Sequence, residues 1–286
     1  MSDPGVTRPM LWKDEWSRAH EQSPLKVTPE NEGRWERYWN VCAAQYARDV
    51  ESEAPLYRQV IDRLVREGRL RPTDNVLDIG CGPGTFTIPI AYCSRHVVGL
   101  DSAAGMIAEL ASKASMRRLA NVEGLPGKWE DFQACDFDLV VSALSPAVCD
   151  AEALLKMEKA SKRDCCYVTA SPGDEMRTRN ELWEMVVGDY RPSHAYDVKY
   201  ALNVLMENGA RPDLKHVSAA IEMTVDAEVA ISNYQTYFEI FTQMNDEKKG
   251  IIKDYIDDRS EDGLLHRKVK KALAVVTWSP NDRIEA

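Results

Sequence analysis

The 286-residue chain lacks the features that mark membrane-spanning and exported proteins. A charged residue or a proline interrupts every apolar stretch, so none approaches the ~18 residues that a membrane span requires. The first residues, Met1–Gly5, do not show the basic segment followed by an apolar one that a secretory signal peptide has. No internal repeat and no low-complexity tract is found either. These absences predict a cytoplasmic globular protein without a membrane partner.

Positive charge is also scarce. The chain has 36 Lys and Arg against 46 Asp and Glu, which gives a net charge of −10. Nucleic acids and anionic membranes bind to basic surfaces, so we expect no nucleic-acid partner. The seven cysteines include no C-x-x-C pair and no Cys/His cluster with zinc spacing. They therefore predict free thiols, most of them buried, and no metal site.

Short apolar segments alternate with helical ones through the middle of the chain. Runs rich in β-branched residues predict strands at Asn75–Ile79, His96–Leu100, Phe137–Ser142 and Cys165–Ala170. Helices are predicted between them at about 84–94, 104–118 and 151–161. A long helical stretch separates two further predicted strands, Val217–Val225 and Ala272–Trp278. This order predicts an α/β fold with a Rossmann-like, doubly wound, mostly parallel sheet that ends in an antiparallel C-terminal strand pair.

Two segments have no place in such a sheet. In residues 1–55, apolar residues at helical spacing predict a helix over Glu30–Glu53, with Thr28 as its cap and Pro29 in its first turn. Residues 173–197 contain a predicted helix and a loop, and we interpret them as an insertion over the carboxyl edge of the sheet. The predicted organisation is an N-terminal helical lid over 1–55 and a main domain over 56–286 that carries this insertion.

The strongest motif is a strand that leads into a glycine-rich loop: Val76-Leu77-Asp78-Ile79-Gly80-Cys81-Gly82-Pro83-Gly84-Thr85. Glycine allows positive φ and lets a ligand approach the backbone, and the amide groups of a following helix face such a ligand. A dinucleotide-binding motif would have its third glycine at position 85, where this chain has Thr. No Lys follows the glycines, so a P-loop is excluded.

The remaining pattern, D-x-G-x-G-x-G, resembles the class I S-adenosylmethionine-dependent methyltransferases. Val97–Ser102 resembles that family's second motif, and Asp101 lies 21 positions after Gly80, near the ~20 expected for a ribose-binding acid. The resemblance implies an enzyme that uses S-adenosyl-L-methionine, with the Asp101 carboxylate on the ribose hydroxyls. The residues implied at the cofactor are Asp78, Gly80, Gly82, Gly84, Asp101, Ser102, Met106, Trp129, Glu130, Asp131 and Ser142.

By the same resemblance, Met106 packs against the adenine, Glu130 or Asp131 accepts from its amino group, and Trp129 lies on its ring. Glu123 competes for the role of the acid. The alternative is that this segment is a solvated acidic loop with a tryptophan in the core.

The implied reaction is in-line transfer of a methyl group to a small-molecule acceptor, which depends mainly on positioning and exclusion of water. No catalytic residue is identified, although Tyr46 is a candidate near the sulfonium unless it is a core residue of its helix. Tyr190, His194 and Tyr196 could line the acceptor pocket, with His194 as a base because histidine titrates near pH 6.5. The alternative for His194 is a surface side chain with no role.

The DNA and RNA amino-methyltransferases of this fold carry an Asn/Asp-Pro-Pro-aromatic motif after the fourth strand. This chain has Ser142-Ala143-Leu144-Ser145-Pro146-Ala147 there, which disfavours a flipped base as the acceptor. Two other functions stay open at this point. One is a nicotinamide-dependent oxidoreductase on a similar sheet, and the other is a non-catalytic scaffold or regulatory protein that keeps the fold. The oligomeric state is not predicted.

Overall fold

A seven-stranded sheet forms the centre of the protein in the computed structural model, which describes residues 11–133, 136–171, 177–188 and 195–283. The spatial order of the strands is β3-β2-β1-β4-β5-β7-β6. Strands β1 to β5 are parallel, and β7 runs antiparallel to both β5 and β6. The predicted fold class is therefore confirmed. The strands are β1 (Asn75–Ile79), β2 (His96–Asp101), β3 (Val122–Pro126), β4 (Phe137–Ala143), β5 (Ser161–Ala170), β6 (Asp213–Asp226) and β7 (Leu264–Trp278).

Helices cover both faces of this sheet. The ten α-helices of the described residues are α1 (Trp12–Glu21), α2 (Glu32–Asp49), α3 (Ala54–Arg66), α4 (Thr87–Ala91), α5 (Ala104–Met116), α6 (Ala151–Ala160), α7 (Arg177–Val186), α8 (Val198–Glu207), α9 (Ala227–Phe238) and α10 (Asp246–Asp257). On one face, α1, α6 and α8 bury their apolar sides, and on the other α3, α4 and α5 do so. None of the helices described is long and apolar enough to cross a membrane.

Two of the predicted helix boundaries are wrong for a local reason. Helix α2 begins at Glu32 and not at Glu30, because the Asn31 side chain accepts the Thr28 amide (2.8 Å) and closes a turn that contains Pro29. The helix predicted over 84–94 is shorter, since α4 has five residues and the glycine loop continues as turns before it.

The N-terminal segment contains a helix, α1, that the sequence analysis does not predict. Its Trp16 is 0% exposed, donates its indole N–H to the Ala195 carbonyl (2.7 Å) and stacks on the Tyr200 ring. Helix α1 is thus packed into the main body of the protein. The predicted division of the chain at residue 55 stays a prediction.

An aromatic cluster joins the two segments that lie outside the sheet. The ring of Trp35 contacts the rings of Tyr237 and Phe241, and Tyr38 contacts Tyr237 with 5.6 Å between ring centroids. Helices α7, α9 and α10 share one hydrophobic cluster with these α2 side chains. We call α2, α7, α9 and α10 the cap. It includes α9 and α10, which lie between β6 and β7, as well as helix α7 of the predicted insertion.

Candidate functional site

The glycine loop lies between β1 and α4 and is tied to the neighbouring strand. The amides of Gly80 and Cys81 donate to the Leu100 carbonyl at 2.7 and 3.0 Å. Gly80, Gly82 and Gly84 all have positive φ, between 53° and 86°, a conformation that L side chains rarely adopt. The loop is therefore held open by its backbone conformation, at the carboxyl end of β1.

The three glycines differ in what surrounds them. A Cβ on Gly80 would lie 1.7 Å from Ser145 Oγ, and one on Gly84 would lie 2.5 Å from a Leu110 methyl. A Cβ on Gly82 would meet no heavy atom within 4 Å. Gly80 and Gly84 are thus required by protein packing, and Gly82 alone of the three faces open space that a ligand can enter.

The helix that follows the loop is predicted to face a bound ligand with its free amides, and it is shorter than predicted. Helix α4 begins at Thr87, three residues after the last glycine of the motif, and it is too short to provide a strong N-terminal field. The polar groups nearest a ligand here are therefore those of the loop and of the end of β2.

Asp101 lies at the end of β2 and faces the glycine loop. Its two carboxylate oxygens accept the amides of Gly82 and Ala103, each at 2.9 Å. Burial raises the pKa of Asp101, and the two amide bonds oppose that shift. Each carboxylate oxygen has two acceptor sites, so both oxygens can still accept from a hydroxyl. The structure thus brings together Asp101 and the one open glycine of the motif.

Asp78, within β1, is 1% exposed, and its carboxylate accepts the Thr87 hydroxyl at 2.6 Å. Burial, and to a smaller extent the charge of Asp101, raise its pKa from 3.8 to about 7, although the Thr87 bond opposes the shift. The native state therefore binds this proton more tightly than the unfolded chain does. Stability that this group contributes at low pH is lost as the pH rises from ~4 to ~7.

A pH-dependent difference in stability is expected between the wild type and Asp78→Asn. The asparagine variant cannot ionise, so its stability relative to the wild type should rise by about 3 kcal/mol between pH 4.5 and 8. Urea unfolding at a series of pH values measures this difference. A constant difference across that range would show that Asp78 is ionised throughout in the folded protein.

Ser142, Ser102 and Met106 stay predictions as cofactor contacts. Ser142 is fully buried and donates its hydroxyl to the Ile79 carbonyl (3.2 Å), whereas Ser102 is exposed beside Asp101. Met106 is 2% exposed and packs with α2 side chains. Of these three, only Ser102 is placed as an open polar group.

The third strand ends before the residues assigned to the adenine. In β3, Pro126 pairs with Asp101, whereas Glu123 pairs with Val98, three residues away from the carboxyl edge. The side chain of Glu123 lies 3.8 Å from His96 and is exposed. Glu123 is therefore not placed to act as the acid of the site.

Trp129 lies after β3, in the core. It is 4% exposed, its indole N–H donates to the Ala153 carbonyl (3.1 Å), and Lys156 Nζ lies over its ring at 4.6 Å. Glu130 and Asp131 are exposed on the turn that follows. Trp129 is thus a core residue, as in the alternative of an acidic loop with a buried tryptophan. A role of Trp129, Glu130 and Asp131 at the adenine stays a prediction.

Helix α2 lies beside the site and is held there by α5. Asn40 Oδ1 accepts the Gly105 amide at 2.8 Å, and a Cβ on Gly105 would come within 3.1 Å of the Asn40 carbonyl oxygen. Lys113 Nζ donates to the Ala47 carbonyl at 2.9 Å. Asn40 and Gly105 are residues whose role sequence reasoning missed, and a glycine directly after a helix start was the only local signal.

Tyr46 is carried by α2. Burial, followed by the charges of Glu53 and Asp101, raises its pKa, so its hydroxyl is protonated at neutral pH. Its ring contacts that of Trp39 at 5.8 Å between centroids. Tyr46 is thus in electrostatic range of Asp101, and its proposed place near the sulfonium stays a prediction.

Of the predicted acceptor-pocket residues, Tyr190 and His194 lie outside the described residues. Tyr196 is partly buried, and its carbonyl accepts the Thr169 hydroxyl (2.7 Å) at the end of β5. The cysteines of the described residues are free, and no group of three or more metal-ligating side chains is found in that part of the chain.

Comparison with known sequences agrees with this geometry. A family model described as a methyltransferase domain matches residues 76–163, which run from β1 into β5. This segment is thus similar to methyltransferase domains. The resemblance to class I S-adenosylmethionine-dependent methyltransferases is confirmed by that match, which also supports S-adenosyl-L-methionine as the cofactor.

The curated relatives are matched over part of their length. A protein of Haemophilus influenzae named only as uncharacterized is 29% identical over 131 residues, which are 44% of this chain and 47% of that protein. A 23S rRNA (uracil(1939)-C(5))-methyltransferase, RlmD, of Xanthomonas axonopodis is 35% identical over 86 residues, which are 30% of this chain and 19% of the relative. The chain thus spans less than half of the length of these relatives.

Solved structures support the fold. A Bacillus halodurans protein provisionally named a methyltransferase is 17% identical with a TM-score of 0.50, over 77% of this chain and 98% of that one. Magnesium protoporphyrin IX methyltransferase of Synechocystis, solved with bound S-adenosylhomocysteine, is 15% identical with a TM-score of 0.48, over 92% and 93% of the two chains. At 17% identity, the match to the Bacillus halodurans structure shows a similar fold and gives no information about the substrate.

Proposed function

We propose that this chain transfers a methyl group from S-adenosyl-L-methionine to a small-molecule acceptor, with the cofactor at the carboxyl ends of β1 and β2. The observation that carries the proposal is the open space at Gly82, directly beside the Asp101 carboxylate. The family match over residues 76–163 supports it.

The residues present are suited to this cofactor. The missing side chain of Gly82 leaves room for a ligand against the loop backbone, and the free acceptor sites of Asp101 can bind two vicinal ribose hydroxyls. When bound, S-adenosylmethionine would supply a methyl group on a positively charged sulfur. The protein's part is to orient the acceptor in line with that methyl group and to exclude water.

Helix α2 would help to exclude water from the reaction site. Its residue Asn40 accepts the Gly105 amide of α5, its residue Tyr38 contacts the Tyr237 ring of α9, and the charge of Asp101 contributes to the raised pKa of its residue Tyr46. A neutral tyrosine hydroxyl can accept or donate a hydrogen bond without adding charge. We infer that Tyr46 and its neighbours form the side of the reaction site that excludes water.

RNA is the rival acceptor, because several curated relatives are named as 23S rRNA methyltransferases. Those relatives are matched over 19% and 26% of their own length, so the match does not include most of either protein. The net charge of −10 disfavours RNA, which binds to basic surfaces. A small molecule is therefore the acceptor we propose.

Calorimetry with the purified protein tests the cofactor. S-adenosylmethionine and S-adenosylhomocysteine are expected to bind, and at 100 times the dissociation constant either should stabilise the protein by about 2.7 kcal/mol. NAD is expected not to bind. Binding of NAD alone would indicate the oxidoreductase, and binding of none of the three would indicate a non-catalytic protein.

Asp101→Ala is expected to weaken S-adenosylhomocysteine binding by about 1.5–3 kcal/mol, because a charge-assisted acceptor of two hydroxyls is removed. Asp101 also accepts two backbone amides, so this variant should lose some stability as well. Asp101→Asn keeps one acceptor oxygen, so its affinity for S-adenosylhomocysteine should lie between that of the wild type and that of Asp101→Ala. Unchanged affinity in both variants would exclude Asp101 from the cofactor site.

A further inference from the structure

The two edges of the central sheet differ in their protection against another chain. The edge strand β3 has five residues, includes Gly124 and ends at Pro126, and such short strands pair poorly with further strands. The other edge strand, β6, has 14 residues and contains neither glycine nor proline. It pairs with β7 from Asp213 to Asp226 without a shift in register. Strand β6 thus presents a long and regular edge.

The outer edge of β6 has no partner among the described residues. The sheet ends at this strand, and within the described part of the chain residues 214–225 form no backbone hydrogen bond outside the ladder with β7. A strand directs its N–H and C=O groups alternately to its two sides, so about half of these groups in β6 face outwards. Such an edge is a template for a further strand.

Beyond the carboxyl edge of the sheet, β6 and β7 continue as a two-stranded ribbon. Strand β5 pairs with β7 only over residues 273–278, so residues 264–271 of β7 have β6 as their one neighbouring strand within the described ranges. A two-stranded ribbon is marginally stable in water, and additional strands strengthen it. Helix α9 follows β6 directly and α10 precedes β7, so this ribbon connects the cap to the sheet.

The side chains of β6 separate into an apolar and a polar face. On the apolar face Ile221 is 3% exposed, but its neighbours are only partly buried: Val217, Ala219, Met223 and Val225. The opposite face is exposed and carries His216, Ser218, Ala220, Glu222, Thr224 and Asp226. A neighbouring strand with the same alternation would therefore bury the apolar row further.

A second copy of β6 has this alternation. When two copies pair antiparallel about a two-fold axis, residues that lie opposite each other share one face of the joined sheet. With the axis at Ile221, Val217 lies opposite Val225 of the other copy, and Ala219 lies opposite Met223. The apolar row of β6 is thus complementary to itself.

The charges of β6 favour this register over its neighbours. With the axis at Ile221, His216 lies opposite Asp226 of the other copy, and no two like charges lie opposite each other. With the axis one residue later, Glu222 would face its own copy, and like charges in that position are destabilising. With the axis one or two residues earlier, Lys215 would enter the ladder opposite an apolar side chain.

We propose that two copies of this chain associate through β6 into a symmetric dimer, with the two-fold axis at Ile221. The two seven-stranded sheets then form one continuous sheet. The new ladder includes residues 216–226 of each copy, which provides roughly ten backbone hydrogen bonds, as many as a typical protein interface has. This assembly goes beyond the proposed methyl transfer and does not depend on it.

The oligomeric state of the full chain tests the inference. Analytical ultracentrifugation is expected to show a species of two chains at micromolar protein concentration. A wild-type protein that is still a monomer at ~100 μM would overturn the inference.

Two substitutions of Ala220 test the register. Ala220 lies opposite Glu222 of the other copy, and this contact occurs twice in the dimer. Ala220→Glu is therefore expected to raise the dissociation constant of the dimer at least about 10-fold, because like charges then lie opposite each other. Ala220→Lys is the matched control and should bind as tightly as the wild type or more tightly.

A folding defect cannot produce this pattern. Within its own chain Ala220 pairs with Lys270, so glutamate favours the fold of the single chain and lysine disfavours it. Thermal unfolding measures both effects. An unchanged dissociation constant in Ala220→Glu, or an equal loss of the dimer in Ala220→Lys, would overturn the inference.

Paired cysteines give a second measurement. In the proposed register Ser218 lies opposite Thr224 of the other copy, with about 5 Å between the Cβ atoms. The variant with Ser218→Cys and Thr224→Cys is expected to form a covalent dimer on mild oxidation. Ser218→Cys alone is the control, because its two copies would lie about 20 Å apart along the ladder. No covalent dimer in the double variant, or an equal yield in the control, would overturn the inference.

Discussion

Replacing Gly82 by valine is expected to weaken S-adenosylhomocysteine binding by at least about 3 kcal/mol, or roughly 150-fold. A side chain at this position would enter the open space beside Asp101, where we place the cofactor. The ligand cannot move away without losing the carboxylate. Isothermal titration calorimetry measures the affinity, and circular dichroism with thermal unfolding reports whether the variant folds.

Gly68→Val is the matched control for this experiment. Gly68 has a φ of +69°, against +53° at Gly82, and a Cβ there would likewise meet no atom within 4 Å. It follows the end of α3, and its neighbour Arg69 pairs with Asp164 in the first half of β5, whereas the glycine loop lies at the carboxyl end of β1. Both valine variants should therefore lose similar stability from the same backbone strain. Equal affinities in the two variants would show that the cofactor does not approach Gly82.

Trp16→Ala is expected to lower the free energy of unfolding by about 3–5 kcal/mol. The side chain is fully buried, stacks on Tyr200 and donates to the Ala195 carbonyl, so its removal leaves a cavity and an unpaired carbonyl. Urea unfolding measures the effect. The expected size follows from the packing of α1 into the main body, although the sequence suggested a lid in this segment.

Trp12→Ala is the control on the same helix. Trp12 is partly exposed and meets Tyr200 at a ring edge, with 6.3 Å between centroids, so its loss should be clearly smaller. A loss below about 1 kcal/mol in Trp16→Ala would mean that α1 is dispensable for the fold, which would support a separable N-terminal segment.

Much of the sheet was predictable because its signals are local. The strands β1, β2 and β4 were predicted to within a residue at each end, since each is a short buried run bounded by turn residues. The strand β3 was not predicted, because Val122–Pro126 contains Glu123 and Gly124 and shows no apolar alternation. Its place in the sheet depends on pairing with β2, which lies more than 20 residues earlier.

The candidate site was predictable to a similar degree. Asp101 and the glycine loop were identified from spacing, and they are close together in the structure because adjacent parallel strands end at one edge. Trp129 was assigned to the adenine by a resemblance in the order of elements, but its contacts with Ala153 and Lys156 depend on the position of α6. No local pattern marks those contacts.

The contacts within the cap could not be predicted from the sequence either. The sequence predicted that α2 and α7 lie outside the sheet. It did not predict that both helices contact Tyr237 of α9, which is about 200 positions after the α2 residues Trp35 and Tyr38. The pair of His20 and Cys149 is 129 positions apart and has no motif. Such contacts depend on how helices pack on a completed sheet, and aromatic side chains pack with many partners.

The amino-acid sequence by itself determined the strand and glycine pattern of the methyltransferase domain, because the burial of short apolar runs and the positive φ of a glycine turn are set by neighbouring residues. Only the tertiary structure decided which glycine faces a ligand. Gly80, Gly82 and Gly84 are alike in backbone conformation, and they differ through side chains from distant positions, Ser145 and Leu110, that fill two of the three spaces. Which glycine has open space beside it depends on the close packing of segments that are distant in the sequence, and the residues next to each glycine do not reveal it.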